Sequence, residues 1–319
     1  MAVVRTVTRE PEPPRLLRTV EAPARPPVST GRRRHSDAPV AAAMVLPATA
    51  FIALVAVFPV LYSIYLSFRS ATVTDSGHWT GLRNYLDLLA DPDFRTALLN
   101  TTVFTVVSVG LEFAVGMAMA LALHRRFRFR GLARTAALIP WAFPVVVSAM
   151  MWRLMLQDQV GVVSWLVRTT GISDRPILSD HTSLLVAAIG VDVWKTTPFV
   201  ALLLLAGLQT VPRELTEAAL VDGATAVQRF VAVTLPMLRP AILVALLFRT
   251  LEAWSVYDLF WVMSDRQLPS LSTYVYSGVR VSQLDFARGD AAAVVVFATS
   301  LAIALGYLLI FRTRTAEEG

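Results

Sequence analysis

The sequence predicts an all-α integral membrane protein in which six transmembrane helices leave both termini in the cytoplasm. The first observation is composition: 55% of the 319 residues are hydrophobic, 16% are charged, and the mean hydropathy is +0.58. Ordinary soluble domains are about 25% charged. The other two observations are a series of six long apolar segments and an uneven distribution of arginine between the loops that join them.

The six apolar segments follow one another between residues 40 and 311. We place them at about 40–67, 98–123, 135–156, 183–208, 240–263 and 290–311. Each approaches or exceeds the roughly 20 residues that a helix needs to cross a bilayer. Membrane helices that contain proline are commonly kinked, so we expect kinks inside the first, third and fourth segments. The prolines concerned are Pro47, Pro59, Pro140, Pro144 and Pro198.

Arginine is concentrated on the side of the membrane where the chain begins. The loops and tails on that side hold 18 Arg, eight of them in the tail of residues 1–39, against 8 on the other side. An excess of basic residues marks the cytoplasmic side. We therefore predict a disordered basic cytoplasmic tail at 1–39, a six-helix domain at 40–311 with a cytoplasmic loop at 209–239, and a cytoplasmic tail at 312–319.

The residue types that most enzymatic chemistry requires are missing or scattered. There is no Cys, and the four His lie apart in the tail and the loops, so we expect no metal site. No catalytic triad or carboxylate pair stands out, and we expect no catalytic residue. A phosphate-binding P-loop needs a lysine behind glycines, but the one lysine, Lys195, follows Trp194, so we expect no cofactor site. The net charge of +6 sits beside apolar segments, which predicts contact with membrane lipid and none with nucleic acid.

Polar side chains inside the predicted spans are the candidates for a substrate path, because a charge in a membrane needs a partner or an aqueous cavity. In the second span, Glu112 shares a helical face with small and hydroxyl residues. They are Thr101, Thr105, Ser108 and Gly116. This stripe is either a helix-packing seam or a wall of a translocation path.

The fourth and fifth spans each carry a charged pair three residues apart. Asp192 and Lys195 either neutralise each other or, with Thr196, bind hydroxyl groups while a sugar ring stacks on an aromatic side chain. Arg249 and Glu252 are followed by aromatic residues that form either a sugar-binding platform or a membrane-interface belt. The candidate path residues are Glu112, Asp192, Trp194, Lys195, Thr196, Phe199, Arg249, Glu252, Trp254 and Tyr257.

The most specific pattern lies between the fourth and fifth spans. Helix-forming residues from Glu217 to Val221 precede Gly223, and a second helix can start after it and run to Val233 before Pro236, which predicts a helix, a bend and a helix. The pattern resembles the signature of binding-protein-dependent ABC importer permeases, with Val233 where that family usually has isoleucine. The positions that carry the predicted coupling function are Glu217, Ala218, Ala219, Asp222, Gly223, Leu235 and Pro236.

The resemblance implies the type I ABC importer permease fold in the cell inner (plasma) membrane and a multi-subunit assembly. The implied partners are a second, homologous but distinct permease subunit, two copies of a cytoplasmic ATPase subunit and an extracytoplasmic sugar-binding protein. ATP and Mg²⁺ would be bound by the ATPase subunits. The loop that carries the motif would couple the chain to those subunits.

The substrate follows from a weaker likeness. Residues 193–199, V-W-K-T-T-P-F, resemble the carbohydrate branch of the family, and in particular its trehalose importers. A permease for another solute such as maltodextrin or glycerol phosphate fits as well, and a secondary transporter that works alone is the alternative from another class. We expect replacement of Lys195 or Arg249 by alanine to lower uptake more than assembly.

Overall fold

The structure is a computed structural model, and it describes residues 38–70, 77–125, 127–172, 175–281 and 286–316. Residues 1–37, most of the predicted basic tail, lie outside the described residues. The chain divides into two compact units, residues 1–53 and residues 54–319. The described part of the first unit is the helix α1, Ala38–Ile52, followed by Ala53.

The described residues are helical almost throughout, as predicted, with one isolated antiparallel bridge between Arg69 and Trp79. The helices of the second unit are α2 (Phe58–Ser67), α3 (Arg83–Ala90), α4 (Pro92–His124), α5 (Arg130–Ala137), α6 (Ile139–Ala142), α7 (Val145–Met155), α8 (Val162–Thr169), α9 (His181–Thr210), α10 (Arg213–Val221), α11 (Ala226–Arg229), α12 (Leu235–Met237), α13 (Arg239–Trp254), α14 (Asp258–Met263), α15 (Leu271–Tyr276) and α16 (Phe286–Ala316). Wider π-helical turns occupy Ala53–Val57, Phe230–Thr234 and Ser277–Val281.

Within the described ranges, four helices are long and apolar enough to cross a membrane unbroken. They are Ala43–Ser67, Pro92–His124, His181–Thr210 and Ala287–Phe311. Two pairs of helices qualify if each pair is one bent span: Arg130–Ala142 with Val145–Met155, bent by 86°, and Ala226–Met237 with Arg239–Trp254, bent by 70°. The first, second, fourth and sixth predicted segments are therefore continuous helices and the third is bent, whereas the 70° bend lies at Leu238, just before the fifth predicted segment.

The third segment breaks where proline predicts a kink. Pro144 has no N–H to donate, and the residue before a proline avoids the helical conformation. Phe143 accordingly has a ψ of 138°, and α7 starts anew after it. Pro140 lies in the first turn of α6, where proline is tolerated. Pro198 lies inside α9 without interrupting it.

The fifth predicted segment, 240–263, is not one helix. Its residues are divided between α13 and α14, because α13 ends at Trp254 and the chain turns before Asp258. The Val256 carbonyl, freed by this turn, accepts a hydrogen bond of 2.7 Å from Ser270 Oγ. Backbone groups at such a break must find partners inside the protein if they lie at membrane depth.

The core of the second unit is the seam between α4 and α9. A Cβ added to Gly116 of α4 would lie 2.9 Å from Val200 Cγ1 and 3.4 Å from the Ala201 nitrogen of α9. Small residues allow such close approach between membrane helices. The polar stripe predicted in the second span lies in this buried region: Thr101, Thr105, Ser108, Glu112 and Gly116 are all buried.

The helix α16 packs against α2, α13 and α15. The most apolar windows of the first and last candidate spans contain no residue that is buried inside the structure. Such continuous apolar surface marks contact with lipid or with another chain. These two spans therefore require surroundings that the described residues do not provide.

Candidate functional site

The segment that carries the E-A-A motif forms a helix, a bend and a second helix, as predicted. The first helix, α10, begins at Arg213, upstream of Glu217. Gly223 follows it with a φ of +79°, a conformation that glycine adopts without steric cost. The amide of Ala224 bonds to the carbonyl of Ala219 at 2.9 Å, the six-to-one hydrogen bond of a Schellman cap.

The second helix starts with a complete capping box. Thr225 Oγ1 accepts a hydrogen bond from the Gln228 amide at 3.3 Å, and Gln228 Oε1 accepts one from the Thr225 amide at 2.8 Å. From α11 the helix continues through the π turn at 230–234 into α12, so the predicted end before Pro236 is wrong. Pro236 lies in the first turn of α12, where a residue without an N–H is tolerated.

Most of the motif is exposed on these helices. Glu217, Ala218, Asp222 and Gly223 are exposed, and Ala219, Leu235 and Pro236 are half-buried. Apolar side chains are exposed beside them, among them Leu220, Val221 at 87% and Val227 at 72%. A Cβ added to Gly223 would meet no atom within 4 Å. The two helices present an apolar face that none of the described residues covers.

This face lies at the carboxyl end of α4. Arg134 Nη2, in α5, donates to the Leu123 carbonyl near that end at 3.1 Å. Arg128 and Arg130 line an open cavity of about 520 Å³ together with Arg213 at the start of α10. The 33 residues of α4 span about 50 Å at 1.5 Å per residue, so its amino end is far from the motif.

Arg249 of α13 is the centre of a buried ionic cluster. Its side chain is 2% exposed, and Glu112 of α4 is fully buried. Arg249 Nε donates to Glu112 Oε2 at 2.6 Å, and Arg249 Nη2 donates to Glu112 Oε1 at 2.8 Å. Bidentate bonds between a guanidinium and a carboxylate are among the strongest hydrogen bonds in proteins.

Two further carboxylates complete the cluster. Arg249 Nη2 also bonds to Asp192 Oδ2 of α9 at 3.0 Å, and Arg249 Nη1 bonds to Glu252 Oε2 at 2.7 Å. Thr196 Oγ1 of α9 lies 2.6 Å from Glu112 Oε1 as a donor. One guanidinium thus joins α4, α9 and α13 near the middle of the spans.

The ion pair between Asp192 and Lys195 that the sequence suggested does not form. Asp192 bonds to Arg249 instead, because α13 brings the guanidinium against the same face of α9. Lys195 is 8% exposed, and it has no hydrogen bond or ion pair to any residue in the described part of the chain. Its ammonium is the cation of this region that no carboxylate holds.

A cavity of about 210 Å³ opens beside the cluster, and we call it the inner cavity. Six of the ten candidate path residues line it: Asp192, Lys195, Thr196, Arg249, Glu252 and Tyr257. Phe104 and Asp258 line it as well. Charged, hydroxyl and aromatic side chains together can bond sugar hydroxyls and cover an apolar ring face. The volume is below the roughly 300 Å³ at which ligand pockets typically begin.

The other four candidate path residues do not line this cavity. Glu112 is buried behind Arg249. Trp194 meets the ring of Trp152 edge-on at 5.5 Å, and Phe199 stacks on the ring of Trp141 at 5.6 Å. Trp254 Nε1 donates to Thr299 Oγ1 of α16 at 3.0 Å. These aromatic rings therefore pack between helices here.

Phe104 is one of the cavity residues that the sequence interpretation missed. It is a fully buried apolar residue of α4 whose ring meets that of Phe260 edge-on at 4.9 Å. Hydrophobic periodicity in the sequence does not distinguish a cavity-lining phenylalanine from one in the core. Phe104 lines the cavity because α13 and α14 turn toward α4 at this point. No group of three or more His, Asp or Glu side chains among the described residues could hold a metal ion.

Comparison with known proteins gives a family match. The model of the family described as binding-protein-dependent transport system inner membrane component matches residues 113–315. The trehalose/maltose transport system permease protein MalF of Thermococcus litoralis is 36% identical over 290 residues, which cover 89% of this chain and 98% of that protein. The trehalose transport system permease protein SugA of Mycobacterium tuberculosis is 37% identical over 283 residues, which cover 87% of this chain and 90% of that protein. The resemblance seen in the sequence is confirmed.

Solved structures show the same fold. A chain of a bacterial alginate ABC transporter, crystallised in complex with an alginate pentasaccharide-bound periplasmic protein, matches with a TM-score of 0.74 and 22% identity. The match covers 88% of this chain and 96% of that chain. At this level of identity the match is evidence for the fold.

Proposed function

The chain belongs to the family of binding-protein-dependent transport system inner membrane components, and from that premise we propose that it is the permease subunit of an ATP-driven sugar importer that carries trehalose. It is a multi-pass protein of the inner membrane. The names of two relatives, MalF and SugA, support trehalose as the substrate. In this proposal the chain forms one half of the translocation path and catalyses no reaction itself.

The observation that carries the proposal is the exposed pair of helices around Gly223. α10 and α11 are fixed at an angle by a Schellman cap on one side and a capping box on the other, yet their apolar side chains are uncovered. A rigid apolar face of this kind suits docking into a groove of a partner. We propose that the partner is a cytoplasmic ATPase subunit.

The topology that this function requires has six spans. We propose that α6 and α7 together form one bent third span, that α13 and α14 form the fifth, and that residues 209–239 and both termini are cytoplasmic. The domains at 1–39, 40–311 and 312–319 keep the roles predicted from the sequence, with the last helix continuing to Ala316. The 18 Arg on that side against 8 on the other support this orientation.

The partners follow from the same proposal. They are a second, distinct permease subunit, two ATPase subunits that bind ATP and Mg²⁺, and an extracytoplasmic sugar-binding protein. The related alginate transporter was crystallised with a periplasmic protein that held its saccharide, which supports the last of these. A separate ATPase is needed because the single lysine, Lys195, lies in a span and not in a P-loop.

The path from ATPase to substrate runs through α13. The loop helices lead directly into α13, and Arg249 of α13 is bonded to Glu112 of α4 and to Asp192 of α9. A shift of α10 when the ATPase subunits close would therefore move three spans around the inner cavity. We propose that Lys195, Thr196 and Tyr257 contact the sugar there, with Arg249 and Glu252 at the rim.

The test replaces Gly223 and measures coupling in the purified complex. Gly223→Val forces a β-branched residue into the left-handed region, which costs about 1–2 kcal/mol, whereas Gly223→Asn keeps a residue that tolerates it. Gly171→Val is the matched control, because Gly171 has a φ of +71° and open space around it but lies between α8 and α9. The readout is ATPase activity with and without sugar-loaded binding protein.

We expect Gly223→Val to reduce the stimulation of the ATPase by loaded binding protein roughly tenfold, and Gly223→Asn and Gly171→Val to reduce it less than twofold. Transport in proteoliposomes should fall in parallel with the stimulation. Full stimulation in Gly223→Val would refute this loop as the coupling element.

A further inference from the structure

A larger cavity lies at the amino end of α4, far from the E-A-A motif. Its volume is about 470 Å³, and we call it the outer cavity. Asp91 and Asp93, at the start of α4, form one wall, and Trp261, Arg266 and Gln267, in and after α14, form another. In the proposed topology this end of α4 faces the outside of the cell.

Two stacked aromatic rings connect the outer cavity to the inner cavity. Trp261 lines the outer cavity and Tyr257 lines the inner one. Their ring centroids are 5.6 Å apart with an interplanar angle of 19°, because residues four apart share one face of a helix. Tyr276 of α15 supports both rings, at 4.9 Å from Trp261 and 5.2 Å from Tyr257.

The chemistry of the outer cavity suits an uncharged polyhydroxyl ligand. Two carboxylates, of Asp91 and Asp93, are balanced by two guanidiniums, of Arg266 and Arg288, so the lining has no net charge. The Gln267 amide adds a donor and an acceptor. An indole ring offers the apolar face on which a sugar ring can lie. An anionic ligand would gain nothing from a balanced lining.

The turn that carries Arg266 has an unusual backbone. Asp265 and Arg266 are the only non-glycine residues with positive φ in the described ranges, at +52° and +70°. An ion pair of 3.1 Å between Arg153 and Asp265 holds the turn, and the Arg266 guanidinium lies 4.7 Å from the ring centroid of Trp261. Residues kept in sparsely populated conformations cluster at ligand sites.

We propose that the outer cavity is a second carbohydrate subsite, at which a neutral sugar ring binds against Trp261 before it passes over Tyr257 into the inner cavity. This inference rests on the proposed function and extends it. The inner cavity, at about 210 Å³, is small for a disaccharide, and two cavities joined by one aromatic stack give each ring of such a sugar its own place.

The absence of cysteine from the chain allows a direct test by thiol labelling. Gln267→Cys introduces a thiol in the outer cavity, and Val160→Cys introduces one at an exposed position between α7 and α8 that does not line it. The complete transporter, without its binding protein, is labelled with a membrane-impermeant maleimide in the presence of trehalose, or of a uronic acid of similar size. The rate of labelling of this chain is measured, and ATP-driven uptake is assayed in parallel after the binding protein has been added.

We expect trehalose to slow the labelling of Gln267→Cys at least threefold and the uronic acid to leave it unchanged, with no effect of either at Val160→Cys. Adding Trp261→Leu should reduce the protection, because loss of an aromatic platform weakens binding by roughly two- to tenfold. Adding Trp261→Phe, which keeps an aromatic ring, should retain it. If Trp261→Leu does not assemble, binding of the sugar in the outer cavity is tested by the protection of Gln267→Cys and by its retention in Trp261→Phe.

Unprotected labelling of Gln267→Cys in a complex that imports trehalose would overturn the subsite and leave the proposed function intact. Equal protection by the uronic acid would overturn the neutral class of ligand. A complex that shows no ATP-driven uptake would instead refute the proposed function, and the subsite with it.

Discussion

At the scale of single residues, Arg249 and Lys195 are two cations of the spans that occupy different surroundings. Arg249 is bonded to three carboxylates, and two of its acceptors belong to the fully buried Glu112. Lys195 lines the inner cavity without a partner among the described residues. The sequence predicted the same behaviour for both. The structure separates them into a residue that holds the helices together and one that is free to meet a ligand.

Arg249→Ala should prevent assembly rather than only slow transport. Removal of one partner from a buried ion pair costs about 3–5 kcal/mol, because the other charge is left uncompensated. The matched control is Arg83→Ala, which breaks an exposed pair of 3.8 Å with Asp87 and should change stability by less than about 1 kcal/mol. The thermal stability and the yield of the purified complex are measured for both variants. Normal stability of Arg249→Ala would contradict the anchoring role.

Lys195→Met should have the opposite profile. Methionine keeps most of the apolar stem, and no bond to a described residue is lost, so assembly should remain at the level of the unmodified chain. A hydrogen bond from a charged group contributes about 1.5–3 kcal/mol, so sugar uptake should fall roughly tenfold or more. Uptake in proteoliposomes, normalised to assembled complex, is the measurement. Unchanged uptake would assign Lys195 to packing.

A hydrogen bond between α15 and the start of α4 makes local stability depend on pH. Tyr274 Oη donates to Asp91 Oδ2 at 2.7 Å. Burial acts to raise the pKa of the Asp91 carboxyl, but hydrogen bonds from Tyr274 and from the amides of Asp93 and Phe94 outweigh it and hold the pKa below its usual value. Burial and the nearby Asp91 carboxylate raise the pKa of the Tyr274 phenol.

The two shifts have opposite signs. A lowered acid pKa contributes stability above the ordinary Asp pKa of about 3.9, and this is lost as pH falls through the folded-state value. A raised phenol pKa contributes stability below the ordinary Tyr pKa of about 10, and this is lost as pH rises through the folded-state value.

Tyr274→Phe should therefore lower stability by about 1 kcal/mol at pH 7, and the difference from the unmodified chain should shrink toward pH 3. Hydrogen exchange of the α15 amides at the two pH values measures it. An equal difference in stability between Tyr274→Phe and the unmodified chain at the two pH values would contradict a role for the ionised Asp91 carboxylate.

At the scale of elements, the close contact of α4 with α9 depends on one glycine. Gly116→Leu would push a side chain into Val200 and the Ala201 backbone, and overpacking of this kind costs about 1–3 kcal/mol. Gly110→Leu is the control in the same helix, because a Cβ there meets nothing within 4 Å. The measurement is the thermal stability of the complex. Equal effects of both variants would refute the seam.

The breaks between helices differ in whether the sequence predicts them. The break at Pro144 could be predicted, because proline removes a donor and restricts the residue before it. The break between α13 and α14 could not, since no residue of 255–257 excludes a helix and the turn depends on a bond from Ser270, which lies beyond α14. The start of the helix at Thr225 is predicted by its capping-box residues. No residue pattern predicts the π turn at 230–234, through which the helix continues to Pro236.

The candidate site was predictable in its residue types more than in its contacts. Charged residues within apolar spans are site candidates because burial of a charge in a membrane costs free energy. Six of the ten chosen residues line one cavity. Their pairing was not predictable, because Arg249 reaches Glu112 across 137 residues of sequence. Trp194, Phe199 and Trp254 were chosen as sugar platforms but pack between helices, since an aromatic residue serves either purpose and only its neighbours decide.

At the scale of the whole molecule, the exposed apolar surface indicates a subunit of a larger assembly. The first and last candidate spans have no buried residue in their most apolar windows, and the helices around Gly223 expose Leu220, Val221 and Val227. In the proposed topology lipid can cover the former but not the latter, which lie in the cytoplasmic loop 209–239. We therefore expect a soluble partner at this loop.

The most direct test is to locate that loop and its partner with one thiol. Val221→Cys introduces a thiol at a position 87% exposed, in a chain that has no cysteine. We expect an impermeant maleimide to label this thiol in inside-out vesicles only. The ATPase subunits should protect the thiol, and a short bifunctional reagent should cross-link it to them. Labelling of Val221→Cys from outside intact cells would contradict the account, because a loop on that side could not couple to an ATPase in the cytoplasm.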